Sequence, residues 1–328
     1  MAQLVLTGIG DYTANARLDK DPDLTLGPDD VLVRMEAAPI NPVDNLFANG
    51  WYPIQPTTLP HRLGSEGVGR VTAAGASVPQ SLIGRRVVLR SPYAGTWGHE
   101  IVVPAKDVTA APDGVDAKQL AMLVINPATV YLMLRNYADL KPGDWVGQNL
   151  GNSAVAASVV ALNKAAGVKT LSVVRSETAA VEARRLGAEA VLVEGDDLAA
   201  RIAEVLGGKQ LRLVLDGAAT DTAGILAGAL ENGGKVLSYS SVTGALPALS
   251  LADVVFRDIS HHGVWVGAWL LGASAEEVER VVGELAELIR GGAISVPVDS
   301  TYPIEQFEEA FARNASPERA GKVLFTFD

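Results

Sequence analysis

Hydrophobic and polar positions follow two rhythms along the chain, and the rhythm changes near residue 117. Before that point short apolar runs are broken by glycine and proline: Val31-Leu-Val-Arg-Met35, Gly67-Val-Gly-Arg-Val71, Arg86-Val-Val-Leu-Arg90 and Glu100-Ile-Val-Val103. Runs of this length, bounded by turn formers, predict the short strands of an antiparallel, β-rich domain. Beyond it, helix-length stretches alternate with apolar strands, which predicts parallel α/β units. The pattern predicts strands at 144–148, 170–174, 190–193, 211–215, 234–238 and 262–266, enough for a six-stranded parallel sheet. Helices are predicted between them at 153–166, 177–186, 198–206 and 222–230. Residues 275–290 form an amphipathic, strongly helix-forming run. The tail, 300–327, holds another short helix and a final strand that can return to the first domain. The expected division is therefore 1–116 with 291–328, and 117–290.

Size supports two domains, because 328 residues exceed what one hydrophobic core usually serves. Charge then removes a class of function. At a formal net charge of -11, with no basic block, the chain lacks the Lys/Arg face that nucleic-acid binding needs. It has no cysteine, so disulfides, iron–sulfur clusters and thiolate zinc sites are excluded, and four histidines remain for metal ligation. That usage fits a reducing, cytoplasmic setting. The first ten residues are apolar but lack a basic leader, and no run approaches the roughly 18 apolar residues that span a bilayer. No membrane role is expected.

A candidate anion site follows the first strand of the α/β region. After Gln148 comes Asn149-Leu-Gly-Asn-Ser-Ala-Val-Ala156, and then a helix-forming run. Backbone N–H groups at a helix N-terminus, together with the helix dipole, hold a phosphate without a basic side chain. The glycine pattern usual at such turns is reduced here to Gly151, Ser153 and Ala156. An ordinary strand-to-helix turn capped by Ser153 is the competing reading. The next strand ends Ser172-Val-Val-Arg-Ser176. About 20 residues beyond the turn, an NAD-binding fold carries Asp or Glu for the ribose 2′-hydroxyl. Arg175 stands there instead, and a guanidinium pairs with a 2′-phosphate, so the expected cofactor is NADPH. The alternative is a surface Arg at a strand end.

These stretches, with Asn41-Pro-Val-Asp44, Asn49-Gly-Trp-Tyr52, Gly64-Ser-Glu-Gly-Val-Gly69, Asn126-Pro-Ala-Thr-Val-Tyr131, Leu140-Lys-Pro-Gly-Asp144, Gln148-Asn149 and Ser153-Ala-Val155, resemble the medium-chain dehydrogenase/reductase superfamily. Within it they resemble the zinc-free quinone oxidoreductase branch, and there the mitochondrial-type 2-enoyl thioester reductases. The resemblance spans nearly the whole chain. It implies a GroES-like β-rich catalytic domain joined to a Rossmann NADPH-binding domain, an α/β fold. Ser65 stands where zinc-bearing members carry His, and Gly98-His-Glu100 lies in a different strand, so His99 is read as structural and no metal is expected.

The resemblance also implies roles. Tyr52 takes the position of the proposed proton donor, with a loop aromatic packed between Trp51 and Pro53 as the alternative. Asn126 is expected at the nicotinamide, and Asn152, Ser153, Ala154 and Val155 at the pyrophosphate. Arg175 and Ser176 are expected at the 2′-phosphate, and Tyr239, Ser240, Ser241 and Val242 beside the ribose and nicotinamide. Val264, Trp265 and Val266 match a strand segment near the cofactor, and Lys322 matches a lysine near the C-terminus. Sheet core is the alternative for Trp265, and a solvated edge charge for Lys322. Ala156, Ser176-Glu177 and Tyr239-Ser-Ser241 depart from the family's usual residues, and Glu177 weighs against NADPH.

The leading function is NADPH-dependent reduction of an activated double bond in a small molecule, a 2-enoyl thioester first and an enone next. A quinone is the acceptor in the nearest alternative, and a non-catalytic NADPH-binding regulator is an alternative of another class. Fold alone does not separate the two enzymes. Arg62, Arg70 and Arg135 are candidates for a basic rim that meets substrate phosphates. Members of the superfamily are dimers or tetramers, and the resemblance implies a homodimer paired along the predicted 262–266 edge strand.

Overall fold

Buried positions alternate along Asp30–Pro39, where Val31, Val33, Met35 and Ala37 face inward while Leu32, Arg34 and Glu36 do not. That two-residue period makes this strand the centre of a sheet with one packed face. A computed structural model describes residues 1–91, 93–240 and 244–327 of the chain. It divides into two units, one formed by Met1–Ile125, Gly267–Gly292 and Val296–Asp328, the other by Asn126–Val266 and Ala293–Ser295.

In the first unit, Asp30–Pro39 pairs antiparallel with Val68–Ala74, Glu100–Pro104 and Lys322–Thr326. The C-terminal strand thus returns to this unit, as the tail pattern predicts. It also brings one parallel pair into a sheet expected to be antiparallel, since Val298–Tyr302 runs alongside Lys322–Thr326. The core gathers Leu4, Phe47, Trp97, Ile101, Phe311 and Phe325. Helix Ala275–Arg290 belongs to this unit and buries Val278, Val281, Val282, Leu285, Ala286 and Ile289, a stripe with helical period. Ser274 caps it by accepting from the Glu277 N–H at 3.2 Å.

The second unit is built on six parallel strands in the order Ala190–Val193, Lys169–Val174, Trp145–Gln148, Leu211–Asp216, Leu230–Ser238, Ser260–Gly263. The predicted six-stranded parallel sheet is therefore present. Helices Ala154–Ala165, Glu177–Leu186, Leu198–Leu206 and Asp221–Gly228 connect the strands. The last strand is a correction. The expected 262–266 segment pairs only through Gly263, opposite Ser238, where the neighbouring strand ends. Without a partner beyond it the chain turns, and Val266–Gly272 is helical. Among the described residues no helix is long and apolar enough to cross a membrane.

Candidate active site

In the second unit the site begins where the central strand Trp145–Gln148 ends. The turn runs against its neighbour: the Gly151 N–H donates to the Val173 carbonyl at 3.1 Å, and a Cβ there would stand 2.7 Å from Ser172 Cβ. Glycine at 151 is thus required by close approach of the adjacent strand. Ser153 then caps helix Ala154–Ala165, its Oγ accepting from the Ala156 N–H at 3.1 Å. The capping role read for Ser153 is present, and it leaves the Ala154 and Val155 N–H groups and the dipole for an anion. Asn152 is exposed on this turn, and Ala154 and Val155 are half-buried.

Arg175 follows Val173 by two residues, so the same backbone contact sets it at the strand end beside the turn. It is exposed, and among the described residues it makes no ion pair. Ser176 caps helix Glu177–Leu186, accepting from the Ala179 N–H at 3.2 Å. Glu177 lies 3.8 Å from Arg184 on its own helix, a solvent-exposed pair worth little in itself.

Beneath the turn lies an acid that sequence reasoning missed. Asp216 is fully buried, and its Oδ1 accepts from Asn149 Nδ2 at 2.6 Å and from the Ala218 and Ala219 N–H groups at 3.1 and 2.9 Å. Its Oδ2 accepts from the Ser238 hydroxyl at 2.7 Å. The carboxylate therefore ties the ends of three neighbouring strands with neutral donors. Its signal was an acid followed by glycine after the apolar run 211–215. Tyr239 sits next to this knot, with its hydroxyl against Gly217, where a Cβ would be only 2.5 Å away. Burial pushes the Tyr239 phenol up, while a hydrogen bond with Ser153 opposes the shift. Two of the expected cofactor residues are thus brought together.

Val155 and Val264 pack against the same core cluster as Tyr239, and the Val264 N–H donates to the Ser238 carbonyl at 2.8 Å. Asn126 opens helix Asn126–Asn136 and is buried, with its Nδ2 lacking a hydrogen-bond partner. An orphaned buried amide of this kind fits a ligand acceptor. Val264 and Trp265 are half-buried beyond the last strand, Val266 is buried, and Ser240 is exposed. Ser241 and Val242 lie outside the described residues.

In the first unit Tyr52 sits on the loop after helix Pro42–Ala48. It is half-buried, and its ring meets Tyr93 edge-on at 5.4 Å. Trp51, by contrast, is 76% exposed, so Tyr52 packs against a residue distant in sequence. Lys322 takes different partners and is no solvated edge charge. It is buried, and its Nζ donates to Asn41 Oδ1. Asn41 Nδ2 donates to Glu66 Oε1 at 2.9 Å, the Ile125 N–H to Glu66 Oε2 at 2.9 Å, and the Asn41 N–H to Asp44 Oδ2 at 2.7 Å.

Two buried carboxylates thus lie in the field of one buried ammonium that is itself bonded to Asn41. Burial pushes Asp44 up to about 7, against the Asn41 N–H and the Ser65 groups, which favour its charged form. Asp44 Oδ1 and Ser65 Oγ nonetheless fall short of hydrogen-bond geometry. Burial also raises Glu66 and lowers Lys322, and the attraction between them opposes both shifts.

Of the candidate rim arginines, Arg62 donates to the Val102 carbonyl at 2.8 Å and Arg70 pairs with Asp113 at 2.9 Å, so both are engaged within their own unit. Arg135 lies over the Tyr131 ring at 5.3 Å. His99 accepts from the Ala2 N–H at 3.1 Å and packs on Phe327, a structural tie between the chain's two ends. Among the described residues no group of three or more His, Cys, Asp or Glu side chains is placed to hold a metal.

Residues 27–113 match the alcohol dehydrogenase GroES-like domain, and residues 154–287 match the zinc-binding dehydrogenase family. The mitochondrial enoyl-[acyl-carrier-protein] reductase of Rattus norvegicus is 31% identical over 302 residues, covering 90% of this chain and 81% of that one. Its counterpart in Caenorhabditis elegans is 32% identical over 271 residues, covering 81% and 77%. A putative NADPH:quinone reductase from Bacillus thuringiensis superposes with a TM-score of 0.89 at 26% identity, over 99% of this chain and 98% of that one. A mutant enoyl thioester reductase from Candida tropicalis shares the fold, with a TM-score of 0.86 at 23% identity over 99% of each chain. The chain belongs to the medium-chain dehydrogenase/reductase superfamily, and within it to the oxidoreductases of enoyl reductase and quinone reductase type.

Proposed function

We propose that this chain is an NADPH-dependent reductase of activated carbon–carbon double bonds, with a 2-enoyl thioester as its acceptor. The observation that carries the reading is an open phosphate turn beside an exposed guanidinium that makes no ion pair among the described residues. The N–H groups of Ala154 and Val155 suit a pyrophosphate, and Arg175 suits the 2′-phosphate that distinguishes NADPH from NADH. The Asn126 amide, buried without an acceptor, suits the nicotinamide carboxamide. When bound, NADPH supplies hydride to the β-carbon of the enoyl group. Tyr52 then acts as an O–H donor to the charge that builds on the thioester oxygen, or delivers a proton to the α-carbon. Names of relatives support the thioester, since those at 31% and 32% identity are enoyl reductases. Quinone reduction makes less demand on a placed proton donor and is the second reading, supported by the 26% identical structure.

The test follows NADPH consumption with crotonyl-CoA, a longer enoyl-CoA and phenanthrenequinone in parallel, for the wild type and Tyr52→Phe. We expect thioester turnover that falls about a hundredfold or more in the variant, the scale of a lost general acid. Quinone turnover indifferent to the substitution, with no thioester turnover, assigns the chain to the quinone reading. Cofactor binding without turnover of any acceptor assigns it to the regulatory one.

We also propose a homodimer. Ser260–Gly263 is the outer strand of its sheet, and the preceding helix Leu251–Phe256 leaves Leu251, Val255 and Phe256 at 77%, 60% and 82% exposure. Such a patch beside an open strand edge suits a second copy. A solution mass measured for the wild type and Phe256→Glu checks it, with a monomer expected in the variant.

A further inference from the structure

Tyr93 stands at φ 76°, the left-handed region that favours glycine. A bulky residue persists there only when its surroundings hold it, and such positions cluster where geometry serves function. Three contacts hold Tyr93. Its ring stacks on Phe47, with 3.6 Å between centroids and 15° between planes. Its hydroxyl donates to the carbonyl of Val43. Its ring also meets Tyr52 at 5.4 Å and 64°, the edge-to-face arrangement aromatic pairs prefer. Val43 and Phe47 both lie on helix Pro42–Ala48, the helix that leads into the Tyr52 loop. Tyr93 therefore joins that helix to the loop aromatic through a ring with little freedom to move. Its own proton is committed to Val43, and burial, with Asp44 and Tyr52 nearby, pushes its phenol far up.

We propose that Tyr93 is a positioning residue for Tyr52: its locked ring sets the orientation of the Tyr52 phenol and so governs proton delivery to the acceptor. This rests on the reading of Tyr52 as the donor. Tyr93→Gly removes the ring while suiting the backbone, Tyr93→Phe keeps the ring, and Tyr93→Asn tolerates the same backbone if the glycine variant does not fold.

With crotonyl-CoA, Tyr93→Gly should lose about ten- to a hundredfold in kcat, the penalty of a slightly misplaced group, with KM for NADPH unchanged. Tyr93→Phe should keep most of the rate. On a Tyr52→Phe background, Tyr93→Gly should cause little further loss, because residues acting as a unit are not additive. A wild-type kcat in Tyr93→Gly, or an undiminished loss on the Tyr52→Phe background, overturns the proposal and leaves Tyr52 as donor. If Tyr52→Phe is itself fully active on thioesters, the donor reading falls and the positioning role falls with it.

Discussion

Each unit buries carboxylates held by neutral donors, and the two sites differ in whether a buried cation accompanies them. In the second unit, Asp216 is surrounded by two backbone N–H groups, an amide and a hydroxyl, all neutral and all at 2.6 to 3.1 Å. In the first unit, Glu66 accepts from the Asn41 amide and the Ile125 N–H and Asp44 from the Asn41 N–H, but the Lys322 ammonium is buried with them, hydrogen-bonded to Asn41, and one oxygen of Asp44 is left without a partner. The first arrangement is a rigid clamp on the ends of three strands, under the turn read as the phosphate site. The second adds a buried cation to its neutral donors, and buried acids whose charge is favoured by a nearby ammonium respond to pH and to loss of that cation. The clamp maintains geometry, whereas the charged cluster can change state.

Removing the buried cation should break the comparison most severely. Lys322→Met leaves the two buried carboxylates without their nearby cation and breaks its bond to Asn41, and we expect a loss of about 3–5 kcal/mol in denaturant unfolding, the scale of removing a buried charge partner. An effect below about 1 kcal/mol would mean that the cluster is not charged in the folded protein.

The pH dependence comes next. The folded Asp44 is held near 7, above its ordinary value of 3.8, so between those limits the folded state binds more protons than the unfolded one. Stability from this group is present at low pH and lost as pH rises through the window, at up to about 1.4 kcal/mol per pH unit. Glu66 is shifted in the same direction, whereas His61, pushed down by burial, acts oppositely near the top of the window. The contribution of Asp44 is therefore isolated as the difference between the wild type and Asp44→Asn, whose unfolding free energy should fall less as pH rises.

The smallest effect is expected in the clamp. Asp216→Asn keeps an oxygen for the three donors on Oδ1 and disturbs only the Ser238 bond, so we expect about 1–2 kcal/mol, the scale of one net hydrogen bond. A loss as large as that of Lys322→Met would show that the carboxylate charge itself is required there, and the contrast between the clusters would disappear.

Most elements were legible in the sequence because burial follows periodicity. Strand 190–193 and helices 177–186 and 198–206 occur at the predicted residues. The segment 262–266 departs from its local pattern at its end, because strand length depends on the partner: pairing stops where Leu230–Ser238 stops. At the site, Ser153, Arg175 and Tyr52 could be read from position relative to strand, turn and loop. Asp216, Glu66 and Tyr93 could not be assigned roles in the same way. Their partners are 67, 59 and 41–50 residues away, as in Asn149 to Asp216, Ile125 to Glu66, and Tyr52 or Val43 to Tyr93.

What the sequence alone determined is the two-part architecture, the parallel sheet and the candidate turn with Arg175, since each is written in local periodicity and in spacing along one strand–turn–helix unit. Tertiary structure alone decided which buried acids have only neutral donors and which also have Lys322 near them, and why a tyrosine occupies a glycine's backbone conformation at 93. Those outcomes depend on contacts between distant segments, and the free energy of a buried polar group is set by the partners it meets in space.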